Sequence, residues 1–146
     1  MKIIPNEQFF SMIESEIAEG RPVRFRLVGD SMYPLLRSGK DDVVLHPCTK
    51  EELQPMDIIL FRFNGRHLLH RIIRIDGERL HIQGDGSIAA TEECLKGDVI
   101  GKVHEVIRPG GKTISVNDRS WRLSSTLWRS LGPLRSLLLR VIFKLR

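Results

Sequence analysis

The hydrophobic pattern at the start of the chain predicts an amphipathic helix over residues 6–19. Asn6 is expected to cap its first turn and Gly20 to end it. Its large apolar side chains recur at helical spacing and share one face: Phe9, Phe10, Ile13 and Ile17. We expect this face to cover one side of a sheet.

After the helix, alternation of hydrophobic and polar residues predicts strands joined by tight turns. Asn64-Gly65 is a strong hairpin signal, and Asp76-Gly77 marks a second turn. The predicted strands span residues 23–27, 42–46, 57–63, 66–75, 79–83, 98–107 and, as a short addition, 113–116. Strands joined by hairpins, with few helices, predict a mostly-β fold with a small antiparallel body.

From about Asn117 the pattern returns to helical spacing, with a break at Gly132-Pro133. The second of the two predicted helices has an apolar face made of Leu134, Leu137, Leu138, Val141, Ile142 and Leu145. Its basic residues fall largely on the other side. The expected organisation is an N-terminal helix at 1–20, a β domain at 21–117 and a basic amphipathic helical tail at 118–146.

The charge distribution separates this tail from the body. The 146 residues carry a net charge of +5, and the segment from Arg119 to Arg146 holds seven basic residues and no acid. The rest of the chain therefore sums to −2, which argues against a nucleic acid as partner of the body. Either the tail packs on protein, or it lies on an anionic membrane surface, which suits basic residues mixed with tryptophan and leucine.

Targeting signals and cysteines add two expectations. The N-terminal residues lack the apolar run of a signal peptide, and no window has the uncharged length of a transmembrane helix. A cytoplasmic or peripherally membrane-associated protein is expected. Cys48 and Cys94 are far apart in the sequence and in no metal-ligand spacing, which favours two free thiols over a disulfide.

The first candidate for chemistry is Ser31, in the stretch Val28–Pro34. Here a strand ends at Gly29, which can adopt backbone angles closed to other residues, and Pro34 favours a turn or the first turn of a helix. Such a turn exposes Ser31 on a rigid backbone, as a nucleophile requires. The alternative is that Ser31 only caps a helix beginning near Pro34, which is the commoner use of serine.

A hydrolytic serine needs a base, and His70 is the strongest of five histidines. It lies among apolar neighbours in Leu68–Ile73, which implies partial burial, and a neutral imidazole can accept a proton near physiological pH. A metal site is not expected, because His67 and His70 are three residues apart on a strand and so face opposite sides. Nor is a cofactor expected, since no phosphate-binding glycine loop is present.

Four motifs occur in one order: Gly-x-Ser-Met-x-Pro at 29–34, His70-Arg71-Ile72, Gly84-Asp85, and Gly97 to Gly101. This succession resembles the signal peptidase family over about residues 22–107. It looks most like the archaeal and endoplasmic-reticulum branch, whose base is a histidine. The related self-cleaving SOS-repressor-type proteases have a lysine base and are disfavoured. The resemblance implies a serine endopeptidase with the β body of these proteases.

The resemblance also implies roles for individual residues. Ser31 is the nucleophile, His70 the base, and Asp85 the group that accepts the second imidazole N–H. Asp85 could instead belong only to a polar turn, and Asp98 is a weaker candidate for orienting the base. The backbone N–H of Ser31 is the first donor of an oxyanion hole. Gly29 stands where many signal peptidases have a serine, so the hole would depend on backbone donors.

Substrates follow from the same resemblance. Family members bind extended segments as an added strand, with shallow pockets for small side chains. Val28, Met32 and Tyr33 flank the nucleophile as pocket wall or as core. The expected activity is cleavage of a leader or signal segment from a peptide or precursor protein. Because the chain lacks the family's usual N-terminal membrane helix, a single partner protein is another possible substrate. The rival interpretation is a non-catalytic peptide-binding or membrane-docking module with the same fold.

Overall fold

The computed structural model describes residues 6–87 and 90–145. The helices are α1 (Asn6–Ala18), α2 (Arg119–Ser130) and α3 (Leu134–Leu145). The strands are β1 (Val23–Arg26), β2 (Asp42–His46), β3 (Ile58–Phe63), β4 (Arg66–Asp76), β5 (Arg79–Gln83), β6 (Glu92–Leu95), β7 (Val99–Ile107) and β8 (Thr113–Ser115). Residues 1–5, where no signal peptide is expected, lie outside the described residues, and the side chain of Asn6, expected to cap α1, is not described.

All eight strands form one antiparallel sheet in the order β1-β2-β7-β3-β4-β5-β6, with β8 paired to β7. The predicted mostly-β antiparallel fold with helical ends is therefore confirmed. The β3–β4 hairpin turns through Asn64 and Gly65, whose φ angles are 50° and 75°. Two positive φ angles are what a tight hairpin turn needs, so the Asn-Gly signal was correctly interpreted.

One strand, β6, was not predicted from the sequence. Its residues Glu92–Leu95 pair with β5, and Glu92 and Cys94 face inward while Glu93 and Leu95 are exposed. An inward glutamate removes the hydrophobic alternation by which a strand is detected. This omission matters for the site, because Glu92 is one of its residues.

The core consists of two apolar clusters along the sheet. The first joins α1 to β1, β2 and β7, and its fully buried members include Ile13 of α1. The expected covering role of the N-terminal helix is thus confirmed. The second lies among β3, β4, β5 and β6, and its fully buried members include Phe61 and Leu80.

Neither cysteine forms a disulfide: Cys48 is half-buried and Cys94 is buried. The prediction of two free thiols is confirmed. Burial raises the pKa of the Cys94 thiol to about 12, so this thiol stays protonated near neutral pH. Among the described helices, none is both long enough and apolar enough to cross a bilayer.

The loop that carries Ser31 is closed at its base by hydrogen bonds around Asp41. The N–H of Leu27 donates to the Asp41 carbonyl at 2.9 Å, and the N–H of Gly39 donates to the Leu27 carbonyl at 2.8 Å. The buried Asp41 carboxylate accepts from Arg37 and Arg108. Burial alone would raise the pKa of Asp41, but bonds from Arg37 and the charges of both arginines lower it below its usual value. The carboxylate therefore stays ionised and binds the C-terminal part of the loop, at Arg37, to Arg108 beyond β7.

Candidate active site

Ser31 lies in a series of turns between β1 and β2 and is exposed. The N–H of Tyr33 donates to the Asp30 carbonyl at 3.1 Å, and the N–H of Leu36 donates to the Met32 carbonyl at 3.0 Å. The peptide bond between Tyr33 and Pro34 is cis. No regular helix starts between β1 and β2, which the structure describes in full. The helix-capping interpretation of Ser31 is therefore wrong, and the predicted sharp turn is present.

The backbone of Gly84 lies close to both the Ser31 carbonyl and the His70 ring. A Cβ atom placed on Gly84 would lie within 3.0 Å of the Ser31 carbonyl oxygen and 3.1 Å from both Nε2 and Cδ2 of His70. The N–H of Gly86 also donates to the Ser31 carbonyl at 2.8 Å. The loop after β5 therefore lies between the turn that bears Ser31 and the edge of the imidazole that bears Nε2. Close approach of backbone to both groups explains the glycine at position 84.

His70 is buried on β4, with only 6% of its surface exposed. Its Nδ1 is hydrogen-bonded to a carboxylate oxygen of Glu92, the first residue of β6, which is itself 9% exposed. A carboxylate oxygen that accepts this bond requires a proton on Nδ1, and in that tautomer of the imidazole Nε2 is the acceptor. The lone pair of Nε2 then lies on the side of the imidazole ring that faces Gly84.

Asp85, the residue expected to orient His70, lies elsewhere. Its fully buried carboxylate pairs with Arg71, with Arg71 Nε at 3.0 Å from Oδ1 and Nη2 at 2.8 Å from Oδ2. Consecutive side chains on a strand point to opposite faces, so the partners of His70 and Arg71 lie on opposite sides of β4. The expected Asp85–His70 contact is therefore corrected to Glu92–His70. Asp98, the weaker candidate, accepts the Leu95 N–H at 2.9 Å at the end of β6.

The other predicted site residues have mixed environments. Val28 is 84% exposed just after β1, whereas Met32 is 1% exposed and belongs to the first core cluster. Tyr33 is half-buried, and its ring lies 5.0 Å from that of Phe143 in α3. Of the three candidates for pocket wall, Met32 is thus core, Tyr33 is packed under α3, and Val28 is open to a ligand.

Gly29 shapes the turn rather than donating to a substrate. Its φ of 101° is strained for any side chain, and its N–H donates to the Ser38 hydroxyl at 2.8 Å. With that donor occupied, the backbone N–H of Ser31 remains the candidate oxyanion donor.

The C-terminal helices buttress the loop that contains Gly84. The indole N–H of Trp128 donates to the Asp85 carbonyl at 2.9 Å, and Arg135 donates to the Gln83 side chain at 3.3 Å. Arg129 lies 3.8 Å from the Asp85 carboxylate, and burial lowers its pKa to about 10. These contacts were not foreseen, because helical spacing predicts a face and not its partner.

The serine side of the site is open to solvent, because Ser31 is exposed. A cavity of about 200 Å³ lies between residues 54–58 and α2, and its lining includes Arg71 but neither Ser31 nor His70. His67 also lies apart from the site, stacked on Phe10 of α1 with ring centroids 4.4 Å apart. An exposed serine suits an extended polymer that lies along the surface better than a small molecule that must be enclosed.

A Gly84→Ala substitution tests the close approach of Gly84 to the Ser31 carbonyl and the His70 ring. The added methyl would meet backbone, which cannot rotate away as a side chain can, so the serine turn must shift. We expect the free energy of unfolding to fall by about 1–3 kcal/mol, the usual cost of overpacking. Gly97→Ala is the matched control, because a Cβ there meets nothing within 4 Å and its φ is not positive. Urea denaturation of both variants measures the difference; equal stabilities would contradict the close approach.

No protein-family model matches this chain, and a search of curated proteins found no similar sequence. The function is therefore inferred from the site's residues and their geometry.

Proposed function

We propose that the chain is a serine endopeptidase of the signal-peptidase type that removes a leader or signal segment from a peptide or precursor protein. One observation carries the proposal. A buried histidine has one ring nitrogen on a buried carboxylate and presents the other beside the turn that bears an exposed serine. Nucleophile, base and orienting group are the parts of a serine hydrolase.

The chemistry assigns one role to each group. Ser31 Oγ attacks the scissile carbonyl and its proton passes to His70 Nε2. Imidazolium then protonates the leaving amine as the C–N bond breaks and an acyl-serine forms. Water hydrolyses that ester by the same base, which restores Ser31. Glu92 holds the imidazole tautomer and stabilises its transient positive charge.

The position of Ser31 favours a substrate in extended form. Strand β1 lies at one end of the strand order, and the chain runs from it through the exposed Val28 to Ser31. A peptide added along β1 would use its unpaired backbone groups and run toward the nucleophile. The ordered motifs that resemble signal peptidases support the same substrate class.

Covalent labelling of the full chain tests the proposal. A fluorophosphonate that reacts with activated serines should modify Ser31, as located by mass spectrometry of digested protein. Labelling should disappear in Ser31→Ala and persist in Ser124→Ala, which removes an exposed hydroxyl of α2. A peptide library analysed for cleavage then gives the sequence preference. Absence of labelling, or labelling spread over several serines, would favour the non-catalytic peptide-binding module.

A further inference from the structure

The inner face of the C-terminal arm, defined here as α2 and α3, is fixed on the body. Trp121 and Trp128 of α2 and Leu139 of α3 are buried, and the Trp128 and Arg135 contacts hold the loop at Gln83 and Asp85. This packing determines which face of the arm is turned outward. It also confirms the interpretation of the tail as an arm packed on protein, as far as its inner face is concerned.

The outer face of the arm is a stripe of exposed apolar side chains. On α3 these residues recur at helical spacing and are between 38% and 83% exposed: Leu134, Leu137, Leu138, Val141 and Leu145. On α2, Leu123 and Leu127 are 63% and 64% exposed. The arm thus buries the charged Arg135 and leaves most of its leucines uncovered. Exposed apolar side chains in this number on two helices are typical of an interaction site.

The charge around the stripe indicates what covers it. Four basic residues of the arm are exposed, namely Arg119, Arg122, Arg140 and Lys144. The arm has no acid in its sequence, so two copies meeting through this face would bring like charges together. Leucines flanked by lysine and arginine, on helices too short to span, are the pattern of a helix lying in the interface of an anionic bilayer.

We infer that the outer face of α2 and α3 is a docking surface for an anionic membrane. The apolar stripe enters the interface while the flanking basic residues contact lipid headgroups. Because the inner face holds the Gln83–Asp85 loop, docking would fix the Ser31 turn at a constant distance from the lipid surface. Binding itself does not depend on the proposed function and is measured without a substrate.

The test is cosedimentation of the full chain with vesicles. One set contains phosphatidylglycerol and phosphatidylcholine, and the other contains phosphatidylcholine alone. We expect binding to the anionic set to be at least about tenfold stronger, since each basic residue near the surface contributes about fivefold. Equal binding to both sets, or no binding to either, would overturn the inference.

Two pairs of variants separate the apolar and charged contributions. Leu137→Ser with Val141→Ser removes apolar surface without changing the charge and should weaken binding at least tenfold, whereas Leu95→Ser alters an exposed leucine outside the arm and should not. Arg140→Glu with Lys144→Glu should weaken binding similarly, and Lys40→Glu with Lys112→Glu, on the body, should have much less effect. Circular dichroism checks folding. A self-associating protein that becomes monomeric in the Leu137 and Val141 variant, with vesicle binding unchanged, would assign the face to a second copy.

Discussion

Replacing Ser31 with alanine is expected to abolish peptide hydrolysis and to leave the protein folded. The side chain is exposed, and the contact that fixes the turn is made by the Ser31 carbonyl, which accepts the Gly86 N–H and is retained in the variant. Loss of the nucleophile removes the acyl-serine route, which costs several powers of ten in kcat in serine proteases. Cleavage of a library-selected peptide and thermal unfolding measure the two parts of this prediction.

Ser38→Ala is the control from the same loop. Its hydroxyl accepts the Gly29 N–H, so this change loosens the turn without removing the proposed nucleophile. We expect a loss of about 1 kcal/mol in stability, as for one hydrogen bond, and a much smaller loss of activity than for Ser31→Ala. If Ser31→Ala retains activity while folded, another group is the nucleophile, and the assignment of the turn fails.

The strands could be predicted from the sequence wherever one face is buried and the other is exposed to solvent. The alternation in β1 and the Asn-Gly turn between β3 and β4 follow from physics that acts within a few residues, so sequence alone specifies them. Strand β6 lacks this signal because Glu92 occupies an inward position. A buried carboxylate is stable there only because it is paired with His70, and that pairing across the sheet is invisible in a linear sequence.

The same limitation explains why Asp85 was predicted to orient His70, although Glu92 makes that contact in the structure. Position in a motif indicated a carboxylate close to His70, and Asp85 does follow Gly84, which touches the imidazole. The face on which each side chain lies is decided by the course of the strands, and Asp85 lies on the Arg71 face. Motif order therefore located the loop correctly but not the residue that orients the base.

The C-terminal arm shows a third kind of limitation. Helical spacing correctly predicted that five of the residues from Leu134 to Leu145 form one stripe, but an apolar stripe is usually expected to face the core. In the structure the stripe is outside, and Arg135 and Leu139 are inside. Which face a helix buries depends on partners such as Asp85 and Tyr33, far away in the sequence.

Neutralising Glu92 is expected to reduce catalysis, whereas neutralising Asp85 is expected to reduce stability. Glu92→Gln keeps the size of the side chain but presents an amide that can donate to Nδ1, which favours the wrong imidazole tautomer. We expect kcat to fall by about 10⁴, as for the equivalent change in a catalytic triad, with little change in stability. Glu92→Asp, which retains the charge, should recover part of the rate. A structural role alone would not give this recovery without a parallel change in stability.

Asp85→Asn should show the opposite pattern. It leaves the Arg71 guanidinium, which is 1% exposed, without its charged partner, and breaking a buried pair in this way costs about 3–5 kcal/mol of stability. The folded fraction keeps the His70–Glu92 contact, so its kcat should stay within about tenfold of the original. Urea denaturation and kcat per folded molecule measure both quantities for each variant.

The loss of activity in His70→Ala is the reference for the loss in Glu92→Gln. If Glu92 acts only through His70, then adding Glu92→Gln to His70→Ala should cost no further activity, because the orienting group has nothing left to orient. Full additivity would mean that Glu92 acts by another route. Should Asp85→Asn instead remove activity in a stable protein while Glu92→Gln remains active, Asp85 orients the base during turnover, and the Glu92–His70 hydrogen bond is structural.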